Sequence, residues 1–111
     1  MDKYDQSADI WGLGMIIAEL SLNKRHLLAY STEKDTLSQV ATLCQMHESD
    51  TKLFNRELLP HIRIDKNKSW QQIASKKKVN PLVIELVRAM LQINPENRPT
   101  INQVINHPVF K

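Results

Sequence analysis

The sequence predicts an all-α fold, on the basis of its turn residues, its hydrophobic spacing and its helix caps. Only two glycines and five prolines occur in 111 residues, too few for the many tight turns of an all-β fold. Apolar side chains recur at three- and four-residue intervals, and good N-cap residues precede several of these runs. The length and the 41% apolar content suit one domain, or a part of one, with a modest core.

The first predicted helix lies in the stretch SADIWGLGMIIAEL, residues 7–20. Ser7 is a good N-cap, and Asp9 in the first turn suits the positive end of the helix dipole. We therefore expect the helix to begin near residue 8 and to end between Ser21 and Asn23.

This first helix has almost no polar stripe, which is typical of a helix surrounded by protein on all sides. It also contains both glycines of the chain, Gly12 and Gly14. Because glycine costs about 1 kcal/mol inside a helix, the pair predicts the close approach of another backbone. A dinucleotide-binding fingerprint is excluded, since Ile17 takes the third glycine position and no strand precedes the run.

The middle of the chain predicts one amphipathic helix and two short helical turns. Residues 23–35 form a polar and basic connection, and helical spacing of apolar side chains then predicts a helix over 36–46. Residues 53–59 and the stretch SWQQIA indicate short helical turns, the latter with Ser69 and Gln72 at capping-box spacing.

Two helices are predicted near the end of the chain. The stretch NPLVIELVRAMLQI has Asn80 as N-cap and Pro81 at the first helical position. Its narrow polar stripe consists of Glu85, Arg88 and Gln92. After the turn NPENRP, Thr100 and Gln103 form a capping box for a last helix that should end before Pro108.

Charge and targeting signals exclude several classes of protein. The net charge of +3 is too balanced to imply nucleic-acid binding, and the one basic run, Lys76–Lys78, is best explained as a solvated loop. A helical DNA-binding domain using that loop is the weakest of the alternatives. We expect no membrane partner, since there is no secretory signal or apolar span. The lone Cys44 fits an intracellular protein, cytoplasmic or nuclear.

The sequence also lacks the patterns of common metal and nucleophile sites. The four histidines show no H-x-x-x-H spacing, and only one cysteine accompanies them, so no zinc site is expected. No G-x-S-x-G elbow supports a serine nucleophile. We therefore expect no catalytic, cofactor-binding or metal-binding residue in this chain.

Two stretches at opposite ends of the chain resemble the eukaryotic protein kinase family. SADIWGLGMIIAEL is similar to the D-x-W-S-x-G signature on helix F, and MLQINPENRPTINQVINHPVF is similar to the D-P-x-x-R-P-T segment with its closing H-P-x-F. The WGLG form favours the Ser/Thr kinases. The resemblance implies that residues 1–111 are a partial kinase domain, the C-terminal helical portion of the larger lobe, beginning after the A-P-E position.

The resemblance also implies structural roles for six residues of this chain. Asp9 would accept backbone hydrogen bonds from the catalytic loop, while Ile16 and Leu20 would support the apolar column beneath the adenine. Arg98 matches the family arginine that pairs with the glutamate of A-P-E, a glutamate absent from this chain. Trp11 and Gly14 belong to the same signature as Asp9. The resemblance implies that all six would anchor the catalytic machinery from behind rather than touch the substrate.

The catalytic motifs of the family are absent from these 111 residues. The Gly-rich loop, the strand lysine, the catalytic loop and D-F-G all precede helix F in the family. The resemblance therefore implies ATP, Mg²⁺ and a protein substrate for the parent domain, and no activity for this chain alone. Alternatively, the chain is a stand-alone binding module or a pseudokinase-derived piece. Its partner, the rest of a kinase domain or another protein, would cover residues 8–20.

The chain departs from the family pattern at three places. Gly12 stands where a serine is usual, and Asn94 replaces the common aspartate. The connection after the first helix lacks the usual G-x-x-P-F. These departures indicate a divergent member of the family, and no substrate preference follows from the sequence.

Overall fold

The computed structural model describes residues 3–23, 33–53, 56–57 and 59–110. This part of the chain contains α-helices and short 3-10 helices and no strand, which confirms the all-α prediction. The α-helices are α1 (Lys3–Leu22), α2 (Glu33–Cys44), α3 (Trp70–Lys76), α4 (Pro81–Met90) and α5 (Ile101–Ile105). The 3-10 helices are Glu48–Leu53, Leu59–His61, Lys66–Lys68, Pro95–Asn97 and Pro108–Phe110. None of the described helices is long and apolar enough to cross a bilayer.

Helix α1 begins earlier than the sequence predicts. The expected start near residue 8 with Ser7 as N-cap is wrong, because α1 already begins at Lys3. Residues 3–6 contain no helix breaker, so nothing in them stops the helix from extending in front of Ser7. The predicted end between Ser21 and Asn23 is confirmed, with Leu22 as the last helical residue.

Helix α2 lies a few residues before its predicted range of 36–46. It ends at Cys44 because Gln45 adopts the left-handed conformation, with φ of 52°. The N–H of Met46 then donates to the carbonyl of Ala41 at 3.0 Å, a Schellman closure that terminates the helix. Of the predicted connection over 23–35, residues 24–32 lie outside the described residues, and α2 begins within its last part.

The stretch predicted as helical turns over 53–59 is described only in part. Leu53 ends the 3-10 helix Glu48–Leu53, residues 56 and 57 form a turn, and Leu59 begins the next 3-10 helix. Residues 54, 55 and 58 lie outside the described residues.

The caps of the last three helices follow the local sequence. Ser69 Oγ accepts the backbone N–H of Gln72 at 3.2 Å, which supplies one half of the predicted capping box of α3. Asn80 caps α4 through its side-chain oxygen, with proline at the first helical position as predicted. Thr100 and Gln103 form the complete capping box of α5, at 3.2 and 2.8 Å.

Helix α4 is the centre of the core. Its buried residues are Leu86, Val87 and Met90. Val87 belongs to a cluster with Ala18, Leu43, Trp70, Ala74 and Leu91, while Leu86 and Met90 join Ile10 and Val104 in a second cluster. Trp70 is 2% exposed, and its indole N–H donates to the carbonyl of Ile84 at 3.0 Å. Helix α4 therefore packs against α1 on one side and α3 on another.

The predicted polar stripe of α4 faces outward. Glu85 and Arg88 are exposed, and Gln92, just beyond the end of the helix, is half-buried. The opposite faces are not completely covered, since Leu82 in the first turn is 38% exposed. The stripe therefore marks the solvent side of the central helix.

Two hydroxyl groups on α2 hold the segment 62–65 against this helix. Ser38 Oγ accepts the N–H of Arg63 at 3.0 Å, and Thr42 Oγ1 accepts the N–H of Asp65 at 3.2 Å. The Thr42 hydroxyl also donates to the carbonyl of Arg63 at 3.2 Å. The backbone groups of this segment are thereby paired with side-chain hydroxyls of one helix instead of with a neighbouring strand.

Candidate functional site

Arg98 lies where the end of the chain meets the first helix. Its Nε donates to the carbonyl of Gln92 at 2.8 Å, and its Nη2 donates to the carbonyl of Ile93 at 3.2 Å. Its Nη1 donates to the carbonyl of Ser7 at 2.8 Å, which links residues 91 positions apart. The planar guanidinium thus links the turn after α4 to α1 through hydrogen bonds from all three of its nitrogens.

The turn NPENRP positions this arginine. Asn94 Oδ1 accepts the N–H of Glu96 at 3.0 Å, and the N–H of Arg98 donates to the carbonyl of Pro95 at 3.2 Å. Asn94, which stands where the family commonly has aspartate, still caps the 3-10 helix Pro95–Asn97, as a neutral group. The departure at this position therefore leaves the local fold intact.

Trp11 completes the Arg98 site. The guanidinium carbon of Arg98 lies 5.1 Å from the centroid of the half-buried Trp11 ring, within the range of a cation–π interaction. An adjoining groove of about 310 Å³ is lined by Ser7, Ala8, Trp11, Val40, Ile93, Pro95 and Arg98. The structure thus brings together two of the six predicted anchor residues, and the contacts described for Arg98 include three carbonyls and an aromatic ring.

The two glycines of α1 have different surroundings. A Cβ placed on Gly14 would lie 2.9 Å from Met90 Cβ and 3.1 Å from Leu91 Cδ2, so α4 approaches α1 closely at this point. On Gly12 a Cβ would meet no atom of the described chain within 4 Å. At Gly14 helix α4 therefore approaches closely, through side-chain atoms of Met90 and Leu91, whereas the predicted approach is not found at Gly12 in the described residues.

One face of α1 is open in this chain. Asp9, Gly12, Ile16 and Leu20 follow the i, i+3, i+7, i+11 spacing of one helical face. Ile16 is 55% exposed, Leu20 is 76% exposed and Asp9 is exposed too. The expectation of a helix surrounded on all sides is therefore wrong for the chain by itself, because the described residues of α1 are buried on the face of Ile10, Gly14 and Ala18 and exposed on the face of Ile16 and Leu20.

Asp9 keeps its carboxylate available. Within the described residues no group donates a hydrogen bond to it, and it projects from the second turn of α1 into solvent. Its role as acceptor for a catalytic loop stays a prediction, as do the roles of Ile16 and Leu20.

The H-P-x-F segment contributes a contact that the sequence did not reveal. His107 Nδ1 accepts the N–H of Val109 at 3.1 Å, so Nε2 carries the proton in the neutral ring and faces Glu85 Oε1 at 3.3 Å. The ring therefore ties the last 3-10 helix, Pro108–Phe110, to the solvent side of α4. The sequence feature that could have indicated this contact is Glu85 in the polar stripe of α4, which had no evident partner.

Cys44 is a space-filling residue that packs against the core cluster of Ala18, Leu43 and Trp70. Its burial among core side chains raises the pKa of the thiol from 9.0 to about 12, a rise that the Arg98 charge opposes and the Asp50 charge reinforces. A thiol with such a pKa is almost entirely protonated near neutral pH and makes a poor nucleophile.

Known proteins resemble the chain over nearly its whole length. The sequence profile of the protein kinase domain matches residues 1–110. Mitogen-activated protein kinase p38a of Drosophila melanogaster is 28% identical over 97% of this chain, and extracellular signal-regulated kinase 1 of Dictyostelium discoideum is 29% identical over 99%. Mitogen-activated protein kinase 3 of Arabidopsis thaliana is 31% identical over 94%.

The match covers only a part of each relative. The chain spans 30%, 21% and 29% of the lengths of these three kinases. The helical architecture, the D-I-W-G-L-G and N-P-x-x-R-P-T stretches and the family match agree with one another. The chain therefore belongs to the eukaryotic Ser/Thr protein kinase family.

Proposed function

We propose that this chain is the helical scaffold of the larger lobe of a Ser/Thr protein kinase, the part on which the catalytic loop rests. The observation that carries the proposal is the open face of α1, formed by Asp9, Gly12, Ile16 and Leu20. The opposite face of the same helix is tightly packed against α4. A helix fixed on one side and open on the other is suited to receive the rest of a domain.

The chemistry of the open face fits a polypeptide backbone. Gly12 has room for close approach, and the Asp9 carboxylate can accept two or more backbone N–H groups. The exposed Ile16 and Leu20 would bury apolar area on contact, worth about 1–2 kcal/mol each. These features support the predicted roles of Asp9 as an anchor and of Ile16 and Leu20 as supports.

The parent domain, in this proposal, transfers the γ-phosphate of ATP to serine or threonine of a protein, inside the cell. ATP supplies the phosphoryl group and Mg²⁺ offsets its charge when both are bound. This chain has none of the family motifs that hold either one, so we expect the 111 residues alone to be inactive. ATP-dependent phosphorylation by the purified chain, above the level of a mock purification, would refute this part of the proposal.

The scaffold role is tested in a chimera. Residues 1–110 replace the matching segment of the Drosophila p38a relative, and phosphotransfer to a protein substrate is measured. We expect activity in the chimera and a loss of at least about tenfold in Asp9→Asn, because the amide presents one acceptor oxygen and has no charge. Glu96→Gln, an exposed carboxylate in the turn before Arg98, is the matched control and should retain activity. Equal rates for Asp9→Asn and Glu96→Gln would count against the anchor role.

A stand-alone binding module is the second candidate, favoured by the same exposed Ile16 and Leu20. In that case cells would contain a species of 12.9 kDa whose α1 face is covered by a separate partner protein. Detection in a fresh extract of only larger species bearing residues 62–79, with an antibody against that segment, would eliminate this candidate. A 12.9 kDa species would favour it over the scaffold of a complete kinase.

A further inference from the structure

Positive charge is concentrated in residues 52–78. This segment has eight basic and two acidic side chains, a net charge of +6, whereas the remainder has seven basic and ten acidic ones, a net charge of −3. All eight basic side chains are exposed. The overall charge of +3 is therefore the sum of a strongly positive segment and a negative remainder.

The two acidic side chains of the segment, Glu57 and Asp65, are too few to balance its eight basic ones. The ion pair between His107 and Glu85, at 3.3 Å, lies outside the segment. Asp65, one of the two acids within it, uses Oδ1 to accept the N–H of Asn67 at 2.9 Å. The segment therefore keeps a net positive field that can attract a negatively charged group.

Helix α3 separates two groups of lysines and sets their spacing. Lys66 and Lys68 lie in the 3-10 helix that contacts α3 at its start, and Lys76–Lys78 lie at its end. With seven residues, α3 spans about 10 Å. Its outer face carries exposed, uncharged polar side chains, namely Gln71, Gln72 and Ser75. We call this surface, Lys66–Lys68 together with Gln71, Gln72 and Ser75–Lys78, the lysine face.

The backbone beneath the lysine face is fixed. Lys78 takes φ of 59°, and the N–H of Val79 donates to the carbonyl of Ala74 at 3.0 Å, which closes α3 in a Schellman motif. On the inner side, the buried Trp70 indole donates to the carbonyl of Ile84 and holds α3 against α4. The lysine positions are therefore preorganised, which lowers the entropic cost of binding a charged partner.

We propose that the lysine face binds an acidic segment of a partner polypeptide. An extended chain advances about 3.3 Å per residue, so carboxylates or phosphates three residues apart would match the span of α3. Trp70, the aromatic residue of α3, is buried behind the lysine face and cannot stack on nucleic-acid bases. The face also presents no exposed apolar side chain that could insert into a bilayer. The choice of a polypeptide rests on the proposed function, because a protein kinase acts on proteins.

The test measures binding of a fluorescent decaglutamate peptide to the 111-residue chain by anisotropy, without ATP. One variant changes Lys66, Lys68, Lys76 and Lys77 to glutamine, and its matched partner changes the same four residues to arginine. We expect the glutamine variant to bind at least about tenfold more weakly and the arginine variant to stay within about threefold. Arg88→Gln, an exposed cation outside the segment, should change the affinity less than twofold or so.

Three results would overturn the proposal. The first is equal peptide affinity of the glutamine variant and the unsubstituted chain. The second is peptide affinity that does not fall as salt is added, a measurement that needs no variant. The third is tighter binding of a short DNA duplex, or of phosphatidylserine vesicles, than of the peptide. Because no phosphotransfer is measured, failure here is distinct from failure of the scaffold role.

Discussion

The side chain of Arg98 donates a 2.8 Å hydrogen bond to the backbone carbonyl of Ser7, 91 residues earlier in the chain. The same guanidinium holds the carbonyls of Gln92 and Ile93 and lies over the ring of Trp11. A single side chain therefore joins the first helix to the turn after α4. Since the site is half-buried, water cannot fully replace these bonds when they are lost.

Arg98→Lys should destabilise the chain by about 1.5–3 kcal/mol, because an ammonium group keeps the charge but cannot reach three carbonyls at once. The free energy of unfolding is measured by urea denaturation. Arg88→Lys, on the exposed stripe of α4, is the control and should shift stability by less than about 0.5 kcal/mol. A similar shift for both variants would show that the Arg98 contacts contribute little.

Alanine substitutions at the two glycines of α1 should have opposite signs. Gly14→Ala places a Cβ 2.9 Å from the buried Met90 Cβ, and the overpacking, about 1–3 kcal/mol, outweighs the gain in helix propensity. Gly12→Ala meets open space in the described chain and should stabilise it by about 0.5–1 kcal/mol. Thermal melts of both variants check the prediction, and a stabilising Gly14→Ala would contradict the close packing of α1 on α4.

Cys44 should react slowly in the folded chain. Burial raises its pKa to about 12, so at about pH 8 the thiolate fraction of the folded chain is far lower than that of the unfolded chain. The rate of reaction with a disulfide reagent should rise steeply when urea unfolds the protein, with Cys44→Ser as the blank. Equal rates in the folded and unfolded chain would show that the thiol is accessible.

The same shift has a consequence for stability in alkali. The folded state holds the thiol proton more tightly than the unfolded chain, whose pKa is near 9.0. The stabilisation from this difference is complete below about pH 9 and is lost as the pH rises towards 12. Cys44→Ser should therefore show a shallower loss of stability over this range, measured by urea denaturation at several pH values.

Local signals in the sequence predicted the N-caps of the last three helices, whereas long-range features needed the structure. The side chains of Thr100 and Gln103, three residues apart, each bond to the backbone N–H of the other, so their capping box depends on no distant residue. Ser7 failed as an N-cap because residues 3–6 are equally able to be helical. The carbonyl partners of Arg98 could not be predicted, since backbone groups carry no sequence signal.

The apolar pattern of α1 had the same limit. It predicts that Ile16 and Leu20 will be buried, but a pattern does not say whether the covering surface belongs to the same chain. In the described residues they are exposed, which is the basis of the scaffold proposal.

The central claim is that this open face of α1 supports the rest of a kinase domain. The most direct test is the phosphotransfer rate of the p38a chimera carrying Leu20→Lys, relative to the unsubstituted chimera. In the isolated chain Leu20 is 76% exposed, so the substitution should leave its melting unchanged. In the chimera we predict a fall in rate of at least about tenfold, because a charge would be buried against the apolar column that Leu20 is predicted to support. An unchanged rate would contradict the account.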